Sequence, residues 1–297
     1  MSVHLVHHAT NRGHGLPPSS LAGLRHCLDA GAVLVEFDIR PLRDGHYALL
    51  HDARLEKQTT GRGLVSQQTE LGLEGIELRV NGRPTGEPVA LLGQAIDLAC
   101  GYPSLCELQL DLKADAPLSE ASLARLVDLV EPLRPRVRIT STADWVLRAL
   151  GVLTPGLPLG FDPLAYLDVA KSGTSTFDKP PYRRGAHGYR DDHPMAATAW
   201  GSAEGYLLAR AETLWAQAPQ GAAWYIRGAM LERALDDGYD WIAWLHARGA
   251  LVDAWTLDAA HPRDVALARR LCDLGVDRIT TNDAPALATR LEFLTIY

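Results

Sequence analysis

Two segments with the composition of β-strands alternate apolar residues with acidic ones. In residues 33–40, Glu36 and Asp38 fall on one face and the apolar side chains fall on the other. In residues 106–113, the same alternation places Asp111 on the polar face. Both faces of a parallel sheet are buried, so carboxylates there cost several kcal/mol unless a positive group meets them. Two such strands therefore indicate a polar centre inside a barrel.

Other groups capable of chemistry stand at or near the ends of predicted strands. They are His8, His51 and Lys113. His7 competes with His8, but alternation puts the two on opposite faces, and the spacing to the following helix favours His8. In a barrel of parallel strands, such ends gather at one mouth, where active sites form.

This set of residue types suits a divalent metal with acid–base catalysis. Three carboxylates, from Glu36, Asp38 and Asp111, are oxygen ligands of the kind that Mg²⁺ or Ca²⁺ prefers. Two histidines beside such an ion can serve as general base and general acid, because the imidazole pKa lies near neutrality. Ion pairing alone is the structural alternative for the carboxylates.

The elements that must position these groups follow a repeated strand–helix pattern. Ser20 is predicted to cap a helix that begins at Leu21, and Gly31 to end it. The other predicted strands are residues 3–8, 47–51, 137–141, 157–161, 251–257 and 278–281, and further helices are predicted at 122–130 and 262–274. We therefore predict an α/β fold, a (β/α)₈ TIM barrel whose sixth strand is the hardest to place.

One stretch is longer than an ordinary loop of such a barrel. Residues 171–219 carry Gly, Pro, Tyr, His and Trp with little periodicity, and we predict a rim insertion that covers the mouth as a lid. Its Lys171, Lys179, Tyr182, Arg183, Arg184 and His187 could contact an anionic or sugar-bearing substrate, although a solvated loop would look the same. The expected organisation is a single domain over residues 1–297.

Composition excludes several classes of protein. The chain has 297 residues, a formal net charge of −7 and 47% hydrophobic residues, which is typical of a globular protein without affinity for nucleic acid. The four cysteines contain no CxxC pair and are expected to be reduced thiols in the core. Without a signal peptide or membrane span, we expect a cytoplasmic protein with no stable membrane insertion. The oligomeric state stays open.

Taken in order, the motifs resemble those of the glycerophosphodiester phosphodiesterases, which are phospholipase-C-like barrels. The matching segments are the early His8, Ser19-Ser20-Leu21-Ala22, Ala30-Gly31-Ala32, Glu36-Phe37-Asp38, Arg43-Asp44-Gly45, His51-Asp52, Thr59-Thr60-Gly61-Arg62-Gly63, Leu110-Asp111-Leu112-Lys113, Trp255-Thr256-Leu257 and Gly275 to Asn282. No single segment is specific, but the ordered set covers nearly the whole chain.

The resemblance implies cleavage of a small-molecule phosphodiester substrate with a divalent metal ion, Mg²⁺ or Ca²⁺. Glu36 and Asp38 match the metal-binding Glu-x-Asp pair of the family. Asp111 stands where the family usually has a glutamate. The residues matching catalytic or substrate-binding positions are His8 and His51 for acid–base catalysis, Lys113 for phosphate and Trp255 for the pocket wall. Ordinary structural roles are the alternatives for Lys113 and Trp255.

The sequence departs from the family at the phosphate-binding end. The arginine that usually follows the first histidine is absent, since Ala9 stands there, and Pro18-Ser19-Ser20 replaces the usual Glu-Asn-Thr. Phosphate binding must then come from Arg12, Asn11 or His14, or be lost.

Two alternative functions follow. His8-Ala9-Thr10-Asn11 is similar to the His-x-x-Asn start of the sphingomyelinase D group, which would make the protein a lyase that forms a cyclic phosphate. A non-catalytic barrel that binds a phosphorylated ligand is the other alternative. An unrelated barrel enzyme, such as a metal-assisted aldolase, would leave the C-terminal matches unexplained.

Overall fold

The architecture comes from a computed structural model that describes residues 3–13, 15–170 and 177–292. Eight strands form the barrel: β1 His4–His7, β2 Leu34–Pro41, β3 Glu107–Leu112, β4 Val137–Ser141, β5 Leu159–Phe161, β6 Ala223–Arg227, β7 Val252–Trp255 and β8 Arg278–Thr281. Each pairs in parallel with the next, and β8 pairs with β1 to close the sheet. The protein is a (β/α)₈ TIM barrel, as the sequence predicted.

Helices surround the strands. They are α1 Leu21–Asp29, α2 Leu92–Cys100, α3 Glu120–Val130, α4 Asp144–Leu153, α5 Ala203–Gln217, α6 Gly228–Asp236, α7 Trp241–His246, α8 Pro262–Asp273 and α9 Ala284–Leu291. The predicted cap of α1 is confirmed, because Ser20 Oγ accepts a hydrogen bond from the Gly23 amide at 3.0 Å. Gly31 follows with a φ of +82°, a conformation that glycine adopts without steric cost.

Shorter elements lie outside this frame. Paired antiparallel strands are Glu77–Val80 with Arg83–Pro88, and Leu167–Val169 with Tyr189–Asp191. Short 3₁₀ helices are His8–Thr10, Leu55–Lys57, Val65–Gln67, Leu71–Leu73, Glu131–Arg136, Pro163–Ala165, Ala186–Gly188 and Pro194–Ala197. Across the described residues, no helix is long and apolar enough to cross a bilayer.

The prediction that residues 47–51 form a strand of the barrel was wrong. Only Tyr47–Ala48 is extended, and it pairs antiparallel with the end of β2. It belongs to a long segment between β2 and α2 that has its own small apolar cluster, formed by Leu42, Ala48, Leu50, Leu55, Val65, Leu73, Leu78 and Val89. The sixth barrel strand is instead β6, a five-residue strand that leads directly into α6.

The rim insertion was placed too far along the chain. Residues 203–217, predicted to be part of it, form α5, an ordinary helix on the outside of the barrel. In the sequence, Arg210 interrupts the apolar pattern of α5. In the structure this side chain is buried, and its Nε lies 2.5 Å from Asp191 Oδ2. The insertion therefore lies between β5 and α5, and Lys171 is outside the described residues.

The prediction that the four cysteines are reduced thiols in the core was correct for their reduced state and wrong for their burial. All four cysteines are free, but only Cys27 is buried, whereas Cys100 and Cys106 are exposed.

Inside the barrel, a charged layer lies below the carboxylates of β2 and β3. Glu107 receives hydrogen bonds from Arg138, at 2.9 and 3.0 Å, and from Arg278. Burial alone would raise the pKa of Glu107, but the two guanidinium groups outweigh it and lower the pKa to about 2. This layer allows polar side chains to fill the barrel axis up to the mouth.

Candidate active site

Three carboxylates converge on one face of two neighbouring strands. The register of β2 and β3 pairs Asp38 with Asp111, and Glu36 lies two residues earlier on the same face of β2. Oxygen atoms of the three side chains all lie within 4.8 Å of one another. Glu36 and Asp38 are 7% and 4% exposed. The structure thus brings together the three residues that the sequence singled out as metal ligands.

Lys113 is the cation that contacts this group. Its Nζ lies 2.6 Å from Asp111 Oδ2 and 3.2 Å from Asp38 Oδ1. Burial alone would raise the pKa of Asp38, but Lys113 and the nearby histidines outweigh it and lower that pKa. The pKa of Glu36 is raised well above its ordinary value, first by burial and then by the charges of Asp38 and Asp111.

The charges of this group do not balance. One ammonium group faces three converging carboxylates, and one of the two buried ones, Glu36, has no cation in contact among the described residues unless His8 is protonated. The donor set is all oxygen and mostly buried, which fits a hard divalent cation. The residues present therefore fit a metal ion of the Mg²⁺ or Ca²⁺ type.

His8 faces this centre, whereas His7 is fully buried and turns away from it. The Nε2 atom of His8 lies 3.9 Å from Glu36 Oε2. The following amide, that of Ala9, donates a hydrogen bond of 2.7 Å to the same carboxylate. His7 Nδ1 lies 3.2 Å from the Asn11 carbonyl oxygen, in the wall of the barrel.

The other ring nitrogen of His8 is held by a pair of residues that the sequence reasoning missed. His8 Nδ1 lies 2.9 Å from Asn282 Oδ1. Asn282 Nδ2 in turn donates to Asp258 Oδ2 at 2.9 Å, and the Asn282 amide donates to Asp258 Oδ1. Because Asn282 Oδ1 can only accept, the proton of neutral His8 sits on Nδ1 and the Nε2 lone pair faces the carboxylates.

His51 is carried by the long segment after β2. Its Nδ1 lies 3.4 Å from Asp52 Oδ1, and its side chain is 49% exposed. Gln58 Oε1 accepts hydrogen bonds from the amides of His51 and Asp52, and Arg40 Nε donates to the His51 carbonyl oxygen at 2.7 Å. The backbone of His51 is therefore fixed on two sides while the imidazole remains accessible.

The carboxylates, the lysine and the two histidines share a cavity of about 260 Å³. Its lining consists of His8, Glu36, Asp38, His51, Gln109, Asp111, Lys113, Thr140, Thr142, Asp162, Leu164, Tyr225, Trp255, Thr256 and Thr280. Three of these residues have buried polar atoms without a partner, namely Gln109 Oε1, Tyr225 Oη and Trp255 Nε1. Unpaired polar atoms in a cavity wall are typical of a site that binds polar molecules.

Two lining residues were missed because they come from strands with little polar signal. Asp162 follows β5, and burial raises its pKa well above the ordinary value. Tyr225 lies on β6, and its ring reaches the barrel axis because Gly160 on the neighbouring strand has no Cβ to collide with it. Neither residue has a sequence neighbour that would have indicated a site.

Arg12 does not line the cavity, contrary to its predicted place at the substrate. Its guanidinium group lies 3.4 Å from Nε2 of the buried His7. Ala9 and Thr10 adopt positive φ values in the tight turn that follows β1. His14, another predicted phosphate ligand, lies outside the described residues, and none of the described basic residues of the rim insertion lines this cavity.

Comparison with known proteins gives a consistent result. The model of the glycerophosphoryl diester phosphodiesterase family matches residues 12–143. A glycerophosphodiester phosphodiesterase from Caldanaerobacter subterraneus is 22% identical over 149 residues, which are 49% of this chain and 60% of that protein. A probable glycerophosphodiester phosphodiesterase 1 from Mycobacterium tuberculosis is 44% identical over 61 residues, 20% of this chain and 22% of the relative. The matched regions thus cover less than two thirds of these curated relatives.

Solved structures share the fold over nearly the whole chain. One from Silicibacter pomeroyi, a putative glycerophosphoryl diester phosphodiesterase, has a TM-score of 0.71 at 21% identity and covers 98% of this chain and 93% of that one. A phosphodiesterase from Oleispira antarctica, in complex with the product sn-glycerol-3-phosphate, has a TM-score of 0.67 at 19% identity and covers 98% of both chains. The family model matches the segment that carries the carboxylates and His51, so over residues 12–143 the chain is similar to the glycerophosphoryl diester phosphodiesterase family.

Proposed function

We propose that this protein is a metal-dependent phosphodiesterase that hydrolyses glycerophosphodiesters or related diesters of sugars and alcohols. The observation that carries the proposal is the position of His8 and His51 in one cavity with the converging carboxylates. The similarity to glycerophosphodiester phosphodiesterases supports the reaction class. All of these residues lie at one mouth of one barrel, which supports a single catalytic domain.

Glu36, Asp38 and Asp111 would hold the metal ion, for which we propose Mg²⁺ or Ca²⁺. When bound, such an ion supplies Lewis-acid neutralisation of the phosphate charge. Asp111 replaces the glutamate usual in the family and is one methylene shorter. It nevertheless reaches the group, because the register of β3 against β2 sets Asp111 beside Asp38 and its carboxylate lies within 4.8 Å of the other two.

His8 is proposed as the general base. Its Nε2 lone pair faces the cavity, so it can take the proton of an attacking water or substrate hydroxyl as the new O–P bond forms. His51 is proposed as the general acid, which gives a proton to the alcohol oxygen as the second O–P bond breaks. The products of hydrolysis are an alcohol and a phosphate monoester, and proton exchange with solvent restores both histidines.

Lys113 and Trp255 complete the proposed substrate site. The Lys113 ammonium group lies between the carboxylates and the open cavity, where it can also meet a phosphate oxygen. Trp255 lines the cavity with an aromatic surface, which suits the apolar face of a polyol.

Asn282 is expected to act as a positioning residue for His8. Asn282→Leu removes the acceptor at Nδ1, so we expect kcat to fall roughly tenfold, the value of one lost hydrogen bond, with KM little changed. Nitrogen-15 NMR of the imidazole should show loss of the Nδ1–H tautomer. The exchanged pair Asn282→Asp with Asp258→Asn keeps both hydrogen bonds and should recover most of kcat. Wild-type kcat and tautomer in Asn282→Leu would remove this role.

The proposed function is tested by hydrolysis of glycerophosphocholine and bis-(p-nitrophenyl) phosphate. The protein is stripped with EDTA and then supplied with Mg²⁺, Mn²⁺ or Ca²⁺ in turn. We expect no turnover after stripping and recovery with at least one ion. Phosphorus NMR of the product separates a hydrolase, which releases a monoester, from a lyase that stops at the cyclic phosphate. Absence of turnover with every ion, together with no metal binding by calorimetry, would refute the proposal.

A further inference from the structure

A second cavity opens beside the catalytic one at the same mouth of the barrel. It measures about 600 Å³, and we call it the side groove. Its lining consists of Arg40, Pro41, Leu42, Arg43, Asp44, Gly45, Ala53, Leu64, Ser66, Lys113, Asp115, Ala116, Pro117, Leu118, Ser119, Ala121, Ser122 and Arg125. These residues come from the end of β2, the segment after it, the loop that leads from β3 into α3, and α3 itself.

The side groove adjoins the catalytic cavity near His51 and Lys113. Lys113 lines both cavities. The chain passes from His51 in the catalytic cavity to Ala53 in the groove within two residues. The side chain of Arg40 links the segment that carries His51 to the one that carries Lys113. It donates hydrogen bonds to the carbonyl oxygen of His51 at 2.7 Å and to that of Lys113 at 3.4 Å. An alcohol protonated by His51 would therefore leave toward this groove.

The charges in the groove leave two arginines available for a ligand. Arg40 is already paired with Asp115 at 2.5 Å, and Lys113 with the catalytic carboxylates. Both oxygens of Asp44 accept backbone amides, at 2.8 and 3.4 Å. Within the part of the chain that the structure describes, no carboxylate pairs with Arg43 or Arg125, and both are exposed.

The groove also lacks the surface that a cationic headgroup needs. A quaternary ammonium such as choline is bound by aromatic rings, and no aromatic residue is found among the described residues that line the groove. Serine hydroxyls at Ser66, Ser119 and Ser122 and the two available guanidinium groups are instead suited to an anionic, hydroxyl-bearing group.

We propose that the side groove binds the leaving alcohol of the phosphodiester and selects alcohols that carry a further phosphate. Arg43 and Arg125 contact that phosphate, and the serines contact the neighbouring hydroxyls. This inference rests on the proposed function and names diesters with an anionic alcohol half as the preferred substrates within its class. It gives a physical role to a cavity that is larger than the catalytic one.

The test compares two substrates that differ by one phosphate, glycerophosphoinositol and glycerophosphoinositol 4-phosphate. For the wild-type protein, we expect kcat/KM to favour the phosphorylated diester by roughly tenfold or more, the effect of one charge-assisted contact. In the double variant Arg43→Ala with Arg125→Ala, this ratio should fall to about one through KM for the phosphorylated substrate. Arg25→Ala, which removes an exposed arginine of α1 outside both cavities, should keep the ratio.

A binding measurement separates this inference from the proposed function. Inositol 4-phosphate, the leaving alcohol, is titrated into the full chain by calorimetry. Binding that weakens roughly tenfold in the double variant supports the groove even if no diester is hydrolysed, in which case only the proposed function fails. Equal kcat/KM for the two substrates, or binding of inositol 4-phosphate that the double variant does not change, would overturn the groove proposal while leaving the hydrolase intact.

Discussion

His51→Ala is expected to lower kcat for glycerophosphodiesters by roughly 10²–10⁴-fold, the usual contribution of a general acid or base. His8→Ala should produce a loss of similar size. The two variants should differ in how the loss depends on the leaving group. An acidic phenol leaves without protonation, so His51→Ala should recover most activity on bis-(p-nitrophenyl) phosphate, whereas His8→Ala should lose activity on both substrates. Rate constants on the alkyl and phenyl diesters measure this difference.

Both histidine variants are expected to fold, because the two side chains are accessible, 34% for His8 and 49% for His51. His246→Ala is the matched control, since His246 lies on α7 outside both cavities and pairs with Asp277. It should retain the wild-type kcat, and thermal unfolding should be cooperative in all three variants. If His51→Ala lost equal activity on the two diesters, His51 would not be the acid.

Glu36→Gln is expected to abolish tight metal binding. Removing a hydrogen-bond partner of a metal ligand weakens metal binding by up to roughly 10²-fold. Glu36→Gln removes the charge of the ligand itself, so its loss of affinity should be larger. The amide can still accept the Ala9 hydrogen bond, so the local structure is kept. We expect hydrolysis to fall in parallel, and calorimetric titration with Mg²⁺ and Ca²⁺ measures the affinity. A Glu36→Gln protein that binds the ion as tightly as the wild type would exclude Glu36 as a ligand.

The pH dependence of metal binding follows from the raised pKa of Glu36. Burial, and then Asp38 and Asp111, keep the proton on this carboxyl above its ordinary range, and an ion must displace it. Metal affinity should therefore rise with pH until the raised pKa is passed, because below it each ion that binds must displace the proton of Glu36. Calorimetry in two buffers of different ionisation enthalpy counts that proton, and the count should fall in Glu36→Gln.

The same raised pKa affects stability without metal. A carboxyl whose folded pKa is raised contributes stability that is present below its unfolded pKa and is lost as pH rises through the folded value. The metal-free wild type should thus lose stability with rising pH where Glu36→Gln does not. Urea unfolding at a series of pH values from the ordinary glutamate range upward distinguishes the two. Added metal should restore the stability of the wild type alone.

Much of the site could be predicted from local patterns. Alternation in two segments placed Glu36, Asp38 and Asp111 on buried polar faces, and parallel strands gather their carboxyl ends at one mouth. That inference needs only the period of a strand and the cost of burying charge. The barrel followed from the same strand–helix repetition, which is local along the chain.

The errors arose where local pattern and tertiary role differ. The strand Ala223–Arg227 is short and leads directly into a helix, so no turn separates the two periodicities. Arg210 has the character of a surface residue, but a buried Asp191 neutralises it from a segment 19 residues away. Arg12 was predicted to replace the missing arginine, yet the turn after β1 directs it to His7.

The sequence by itself determined the fold class and the groups capable of chemistry. Strand and helix periods can be recognised from neighbouring residues, and the cost of burying charge singles out carboxylates on a predicted buried face. Only the tertiary structure decided the orientation of His8 and the presence of the side groove. Asn282 lies 274 residues from His8, and the groove is built from segments separated by up to 85 residues, from Arg40 to Arg125. Contacts between such distant segments depend on barrel closure, and no pattern within one segment encodes them.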